Sequence, residues 1–189
     1  MDHKQYNDLQ LIRGCRKNKR HFQELLYRKF FAFGMSVCLR YTTNREDALE
    51  VLHDGFIKVY NNLHVYDDAM PFKSWFRKIL VNTALDQYRR DRKYKLNIQL
   101  DLPEENATEP YQQDLPALGA DEILELFRQL PDMFRMTYNL YEVEGYKHDE
   151  IAGMLDISPG TSRSNLSRAK KMLRQLYIES ERKAGNEAI

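Results

Sequence analysis

The sequence predicts an all-α protein of two helical domains joined by an acidic flexible linker, and three observations predict it. Apolar residues recur at threes and fours in both halves of the 189-residue chain, and no stretch shows the alternation of a half-buried strand. Charge is partitioned: residues 1–95 carry 19 Lys and Arg against 11 Asp and Glu, a net +8. Residues 96–121 carry six acids and no cation, and residues 122–189 carry 10 cations against 11 acids. The total of +1 therefore hides a basic domain, an acidic connector and a second domain whose cations gather late. The third observation is a helix–turn–helix pattern between Glu144 and Arg174. These divide the chain into a first domain at 1–95, a linker at 96–120, a second domain at 121–178 and a tail at 179–189.

The elements follow in order. Tyr6 to Arg16 reads as a short amphipathic helix with Leu9, Leu11 and Ile12 apolar, and the KNKRH run after it as a solvated hinge. Phe22 to Tyr41 is a stronger helix, with Phe22, Leu25, Leu26, Phe30, Phe33, Val37 and Cys38 on one face. Asn44 is an N-cap for the next, with Glu46 and Asp47 in the first turn, where the helix dipole favours acids. That helix runs to about Leu63. Ala48, Val51, Leu52, Phe56, Val59 and Leu63 form its apolar face, and Asp47, Glu50, His53, Asp54 and Lys58 stay outside. The loop HVYDDAMP leads to Phe72 and a long helix from about Lys73 to Lys93, which ends in Arg89, Arg90, Arg92 and Lys93. Four helices with short loops make a compact bundle.

Leu96 to Ala120 has three prolines, five acids and no helical period, so it reads as an extended, self-repelling linker. Asp121 caps a helix from Glu122 to Leu130, Pro131 starts another through Tyr141, and the polar residues after Ile178 fray.

The helix–turn–helix is built from Ile151, Ala152 and Leu155 in its first helix and Ile157 at the angle. Ser158 and Pro159 supply an N-cap and a first helical residue whose missing N–H costs nothing. Asp156 stands where glycine would bend more easily, yet Asp tolerates the left-handed region better than most residues. Leu166, Ala169 and Leu173 return to the core, and Thr161, Ser162, Arg163, Ser164, Asn165, Ser167 and Arg168 are expected outside. Residues 160–174 hold five cations and no acid, whereas a merely solvated helix mixes signs. A helix of this kind fits a DNA major groove.

Function classes can be excluded. There is no glycine-rich phosphate loop, nucleophile signature or histidine–acid set at metal spacing, so no enzyme, metal or cofactor is expected. The pair Asp67 and Asp68 reads as solvated or capping. Cys15 and Cys38 are too few for a disulfide framework, which points to a reducing compartment. No apolar run approaches the ~20 residues of a membrane span and no signal peptide is recognisable, so a soluble cytoplasmic protein is expected.

Three segments, in order, carry a family resemblance. NREDALEVLHDGFIKVYNNL resembles the helix of sigma region 2 that grips the polymerase clamp. PFKSWFRKILVNTALDQYRRDRK resembles the segment that melts and reads the minus-10 element. The stretch from Leu124 to Leu173 resembles region 4, which reads the minus-35 element. The chain is thus similar, over roughly residues 5 to 176, to the extracytoplasmic-function sigma factors, small alternative sigma subunits of bacterial RNA polymerase. The resemblance implies core-polymerase contacts at Asp47, His53, Asp54, Phe56 and Tyr60. His53 stands in place of the family's usual glutamine, and Phe56 serves core packing equally well. It implies a pocket for a flipped minus-10 base at His64 to Met70, with Tyr66, Asp67 and Asp68 as candidates. Phe72 and Trp75 are placed to stack on bases, although Trp75 is as readily a core residue. Lys73, Arg77, Lys78, Asn82, Arg89 and Arg90 match the helix that meets duplex and phosphate, with Asp86 orienting one of the arginines. In region 4, Thr161, Ser162, Arg163, Asn165 and Arg168 are expected at the minus-35 element, Arg163 suiting a guanine and Asn165 an adenine. The family more often has a basic residue at the position of Asn165. Lys170, Lys171 and Arg174 suit phosphate or solvent. The implied partners are core polymerase, promoter DNA and a membrane-anchored anti-sigma factor, with no membrane insertion of the chain itself.

A conventional regulator, with residues 1–95 as a dimerisation or ligand-binding module, explains residues 144–174 as well. It leaves the basic end of the first domain and the acidic face of residues 46–58 without a use. A helical adaptor with no nucleic-acid partner leaves the charge partition unexplained.

Overall fold

The computed structural model describes residues 6–96 and 120–187, with side chains described over 6–92 and 124–182. All regular structure among the described residues is helical, in two compact units that meet in sequence between Gln87 and Tyr88. The linker expected at 96–120 lies almost wholly outside the described residues.

The first unit contains α1 (Asp8–Arg16), α2 (Arg20–Cys38), α3 (Arg45–Asn62) and most of α4 (Phe72–Leu96). Two of the starts have a local cause. Asn7 and Gln10 form a capping box at α1, with the Asn7 side chain accepting from Gln10 N–H at 2.8 Å. Asn44 caps α3 as expected, its Oδ1 accepting from Asp47 N–H at 2.7 Å. The α1–α2 hinge is tight, since Asn18 adopts a φ of 53°, a left-handed conformation that asparagine tolerates.

Four rings from three helices form the centre of this unit. Phe30 of α2 meets Phe72 of α4 at 4.7 Å between centroids, and Phe56 of α3 meets Phe76 of α4 at 4.7 Å. Leu11, Ile12, Leu26, Leu52 and Leu80 are buried beside them. Two helix crossings require glycine. A Cβ on Gly34 would lie 2.4 Å from Leu52 Cδ1, and one on Gly55 would lie 2.4 Å from Leu80 Cδ2. Cys15 and Cys38 are buried free thiols, and burial pushes each up to about 12.

The second unit contains α5 (Ala120–Arg128), α6 (Asp132–Tyr138), α7 (His148–Leu155) and α8 (Pro159–Glu187). Several boundaries differ from expectation, α5 ending at Arg128 and α6 at Tyr138 among them. Helix α5 begins at Ala120, ahead of the expected cap Asp121, whose side chain lies outside the described residues. The tail expected after Ile178 instead prolongs α8 to Glu187, because Glu, Arg, Lys and Ala at 181–184 are good helix formers. Between α6 and α7, Asn139–Val143 widens into a π-helical turn that ends in Gly145 at a φ of 78°.

Leu126 and Phe127 of α5, with Leu130 just past its end, pack with Ala169 and Leu173 of α8. Arg135 is buried among them at 2% exposure. Its guanidinium pairs with Asp132 at 2.5 Å and donates to the carbonyls of Leu130 at 3.2 Å and Phe127 at 3.4 Å. It thereby binds carbonyls at and just past the end of α5.

Candidate nucleic-acid interface

The helix–turn–helix turns where its residues suggest. Helix α7 ends at Asp156, whose φ and ψ of 55° and 55° are left-handed. Ile157 N–H then closes on Ala152 O at 3.1 Å. Ser158 accepts from Thr161 N–H at 3.0 Å through its hydroxyl, and Pro159 opens α8. Ser162, Asn165, Leu166, Ala169 and Leu173 all face inward, at the three-and-four spacing of one helix side. The outward side carries Thr161, Arg163, Lys171 and Arg174 exposed, with Ser164, Ser167 and Arg168 half-buried.

This phase removes two residues from the expected reading face. Ser162 is fully buried, and its hydroxyl lies 2.9 Å from His148 Nδ1. Tyr141 stacks on the same imidazole at 4.5 Å, so His148 ties the first helix of the motif to the second. Burial, then the Arg163 guanidinium, lowers the pKa of His148 against the opposing pull of Asp149. Asn165 is 5% exposed, turned toward the core rather than toward an adenine. Lys170 pairs with Glu142 at 2.6 Å and fastens α8 to the π-helical turn.

On α4, Lys78, Asn82 and Asp86 follow one another at a spacing of four along an exposed stripe, with Arg89 and Arg90 exposed beyond them. Lys73 is exposed and its ammonium sits 5.6 Å from the Phe33 ring centre; Arg77 is half-buried. Asp86 pairs with Lys58 of α3 at 2.9 Å. From Tyr88 on, α4 belongs to the second unit, where Arg89 Nε donates to Met154 O at 3.0 Å and Arg92 to Leu155 O at 3.2 Å. Those carbonyls are the free acceptors at the end of α7.

The base-capture candidates separate into two groups. Tyr66 and Phe72 are buried, at 5% and 3% exposure, and pack against each other and against half-buried Trp75. Their rings are committed to the bundle. His64, Val65, Asp67 and Met70 stay exposed on the same loop, and Asp67 accepts from Ala69 N–H at 2.9 Å.

On α3, Phe56 is 2% exposed and in contact with Tyr27 and Phe76, so it is a core residue rather than a contact surface. Tyr60 is half-buried and donates to Gln23 O at 2.9 Å, and burial pushes its phenol up. Asp47 accepts from Asn44 Nδ2 at 2.9 Å as part of the helix cap. His53 is exposed, with its Nε2 held 3.1 Å from the Tyr27 hydroxyl. Glu46, Glu50, His53 and Ile57 form the outward face, with Asp54 half-buried beside it. Ile57, 57% exposed, had no place in the sequence reading. Its position one turn beyond His53 is the signal that it belongs to the face.

Two family models match the chain in this order: Sigma-70 region 2 over residues 26–94, and Sigma-70, region 4 over residues 120–173. The ECF RNA polymerase sigma factor SigE of Mycolicibacterium smegmatis is 30% identical over 142 residues, which cover 71% of this chain and 53% of that protein. The chain belongs to the extracytoplasmic-function sigma factors. The chain thus spans about half the length of the SigE relative. The RNA polymerase sigma-H factor of Pseudomonas aeruginosa is 25% identical over 179 residues, and there the match covers 89% of this sigma factor and 93% of the relative. Among solved structures, the sigma factor RpoE of Bartonella quintana, in complex with the anti-sigma factor NepR, is similar over 90% of the chain. Its 18% identity and TM-score of 0.46 are too low to bear on this sigma factor's details.

Proposed function

We propose that this sigma factor binds core RNA polymerase and directs it to a two-part promoter, with residues 1–95 serving polymerase and the minus-10 element and residues 121–178 the minus-35 element. Residues 96–120 tether the two. The outer face of α3, through His53, Asp54 and the acids beside them, meets a basic polymerase surface. Lys73, Arg77, Lys78, Asn82 and Arg90 of α4 follow the minus-10 DNA backbone, and the exposed loop residues His64, Val65, Asp67 and Met70 seat an unpaired base.

The observation that carries this reading is the sidedness of α8. Its inward face is sealed by Ser162, Asn165, Leu166 and Ala169, while Arg163, Lys171 and Arg174 stand exposed on a stretch without an acid. Thr161 and Arg163, on the first turns, suit base edges, and Arg168, Lys171 and Arg174 suit phosphates. The function needs no covalent chemistry, metal or cofactor, and its place is the cytoplasm. Among the described residues, no helix is long and apolar enough to cross a membrane. A membrane-anchored anti-sigma factor, the usual restraint on this class, is the proposed regulatory partner.

Alanine at both Arg163 and Arg168 tests the assignment. Minus-35 promoter use should fall while binding to core polymerase is kept. An unchanged promoter footprint contradicts the recognition-helix role.

A further inference from the structure

We infer that Arg16, the last residue of α1, is a positioning residue for the loop after α3, and that through this loop it controls capture of the unpaired minus-10 strand. The inference rests on the sigma-factor reading above. Two donors of its guanidinium hydrogen-bond to backbone carbonyls of the loop, and a third nitrogen forms an ion pair with the loop's Asp68 carboxylate. Nε donates to Leu63 O at 2.8 Å, Nη2 donates to Tyr66 O at 2.5 Å, and Nη1 lies 2.8 Å from Asp68 Oδ1. The guanidinium carbon also sits 5.9 Å from the centre of the Tyr66 ring. Arg13 adds a longer contact to Asp68, at 3.9 Å.

The remaining bonds of the loop are local. Tyr66 donates its hydroxyl to Met70 O, its ring packs 4.9 Å from that of Trp75, and Asp67 accepts from Ala69 N–H. These fold the loop on itself and onto α4. Arg16 fastens its backbone to α1 at Leu63 and Tyr66, and its carboxylate at Asp68. Between those fixed points His64, Val65 and Asp67 are displayed to solvent, with Met70 just beyond the last of them.

A flipped base costs a few kcal/mol to extrude, and a loop that must first be ordered adds to that cost. A loop already held does not. The planar fork of arginine matches this task, because one lysine ammonium is a point charge that cannot hold two carbonyls and a carboxylate along separate lines. Removing the fork leaves the part-buried Tyr66 carbonyl and the Asp68 carboxylate without it, while Leu63 O keeps Tyr66 N–H at 3.3 Å.

The test uses the full chain assembled with core polymerase, on a promoter selected by the wild-type holoenzyme from a random duplex library. The decisive probe is a fork template from that promoter, double-stranded through the minus-35 element and unpaired on one strand at the minus-10 element. Arg16→Met should keep core affinity and the minus-35 footprint while fork affinity falls at least about tenfold. Arg16→Lys should recover only part of that loss, and Arg28→Met, which removes an exposed pair with Glu24, should bind the fork as wild type does. Trp75 is the single tryptophan of the chain, so its emission reports on the Tyr66 contact directly. It should shift in Arg16→Met, with faster amide exchange confined to residues 63–70. Wild-type fork affinity in Arg16→Met, or an equal fall in core and fork binding, overturns the positioning role. Failure of the wild-type chain to join core polymerase is a different result, and it overturns the sigma-factor reading together with the inference built on it.

Discussion

Arg135→Met removes a charge from the core of the second unit while keeping most of the side chain's apolar stem. The native guanidinium is 2% exposed and holds Leu130 O at 3.2 Å, Phe127 O at 3.4 Å and Asp132 at 2.5 Å. Phe127 O keeps a second partner in Leu130 N–H, at 3.2 Å. Asp132 is 38% exposed and sits in the first turn of α6, where water and the helix dipole can serve it. The main penalty is therefore one buried carbonyl left bare and the lost charge-assisted bonds. Together these cost about 2–4 kcal/mol, below the ~3–5 kcal/mol of breaking a fully buried pair. For a domain of this size that corresponds to a fall in melting temperature of roughly 10–20 °C. Thermal unfolding followed by circular dichroism measures the fall, and amide exchange locates it in α5 and α6. A shift under about 3 °C refutes the view that Arg135 joins the two helices.

Other predictions follow from equally local features. The folded pKa of His148 is depressed, so the unfolded chain binds more protons near neutrality. Stability of the second unit should be full above the ordinary histidine range and fall as pH drops through that range toward the depressed value. His148→Gln should flatten this slope in melts run between acid and neutral pH, and an unchanged slope assigns the effect elsewhere. Gly55→Ala places a Cβ 2.4 Å from Leu80 Cδ2 and should destabilise the first unit by about 1–3 kcal/mol in urea titrations, a loss absent if α3 and α4 slide apart freely. Cys15 and Cys38, with thiols pushed up to about 12, should resist alkylation at pH 8 until the chain is unfolded. Rapid labelling of the native protein would contradict their burial.

The helices and their joints were legible because their causes lie within a few residues. Asn44 and Ser158 cap the helices they precede, and Asp156 takes the left-handed turn that its short side chain permits. Burial of the polar residues was harder to read. Ser162 and Asn165 have the chemistry of a reading face, yet Leu166, Ala169 and Leu173 fix a helical phase that turns both inward. That signal was present in the spacing and was outweighed by residue type. Arg16 and Arg135 were missed for another reason. Arg16 has acceptors 47 and 50 residues away in sequence, and Arg135 closes backbone carbonyls that no side-chain pattern reveals. The widening at Asn139–Val143 likewise interrupts a stretch that reads as plain helix through Tyr141.

Incubation with purified sigma-free core polymerase, followed by run-off transcription from genomic fragments, tests the central claim most directly. A monomeric chain that co-migrates with core and starts transcripts at discrete sites is the predicted result, and those start sites reveal the promoter elements. A chain that ignores core polymerase and binds DNA as a homodimer would contradict the account and make the first unit a dimerisation module.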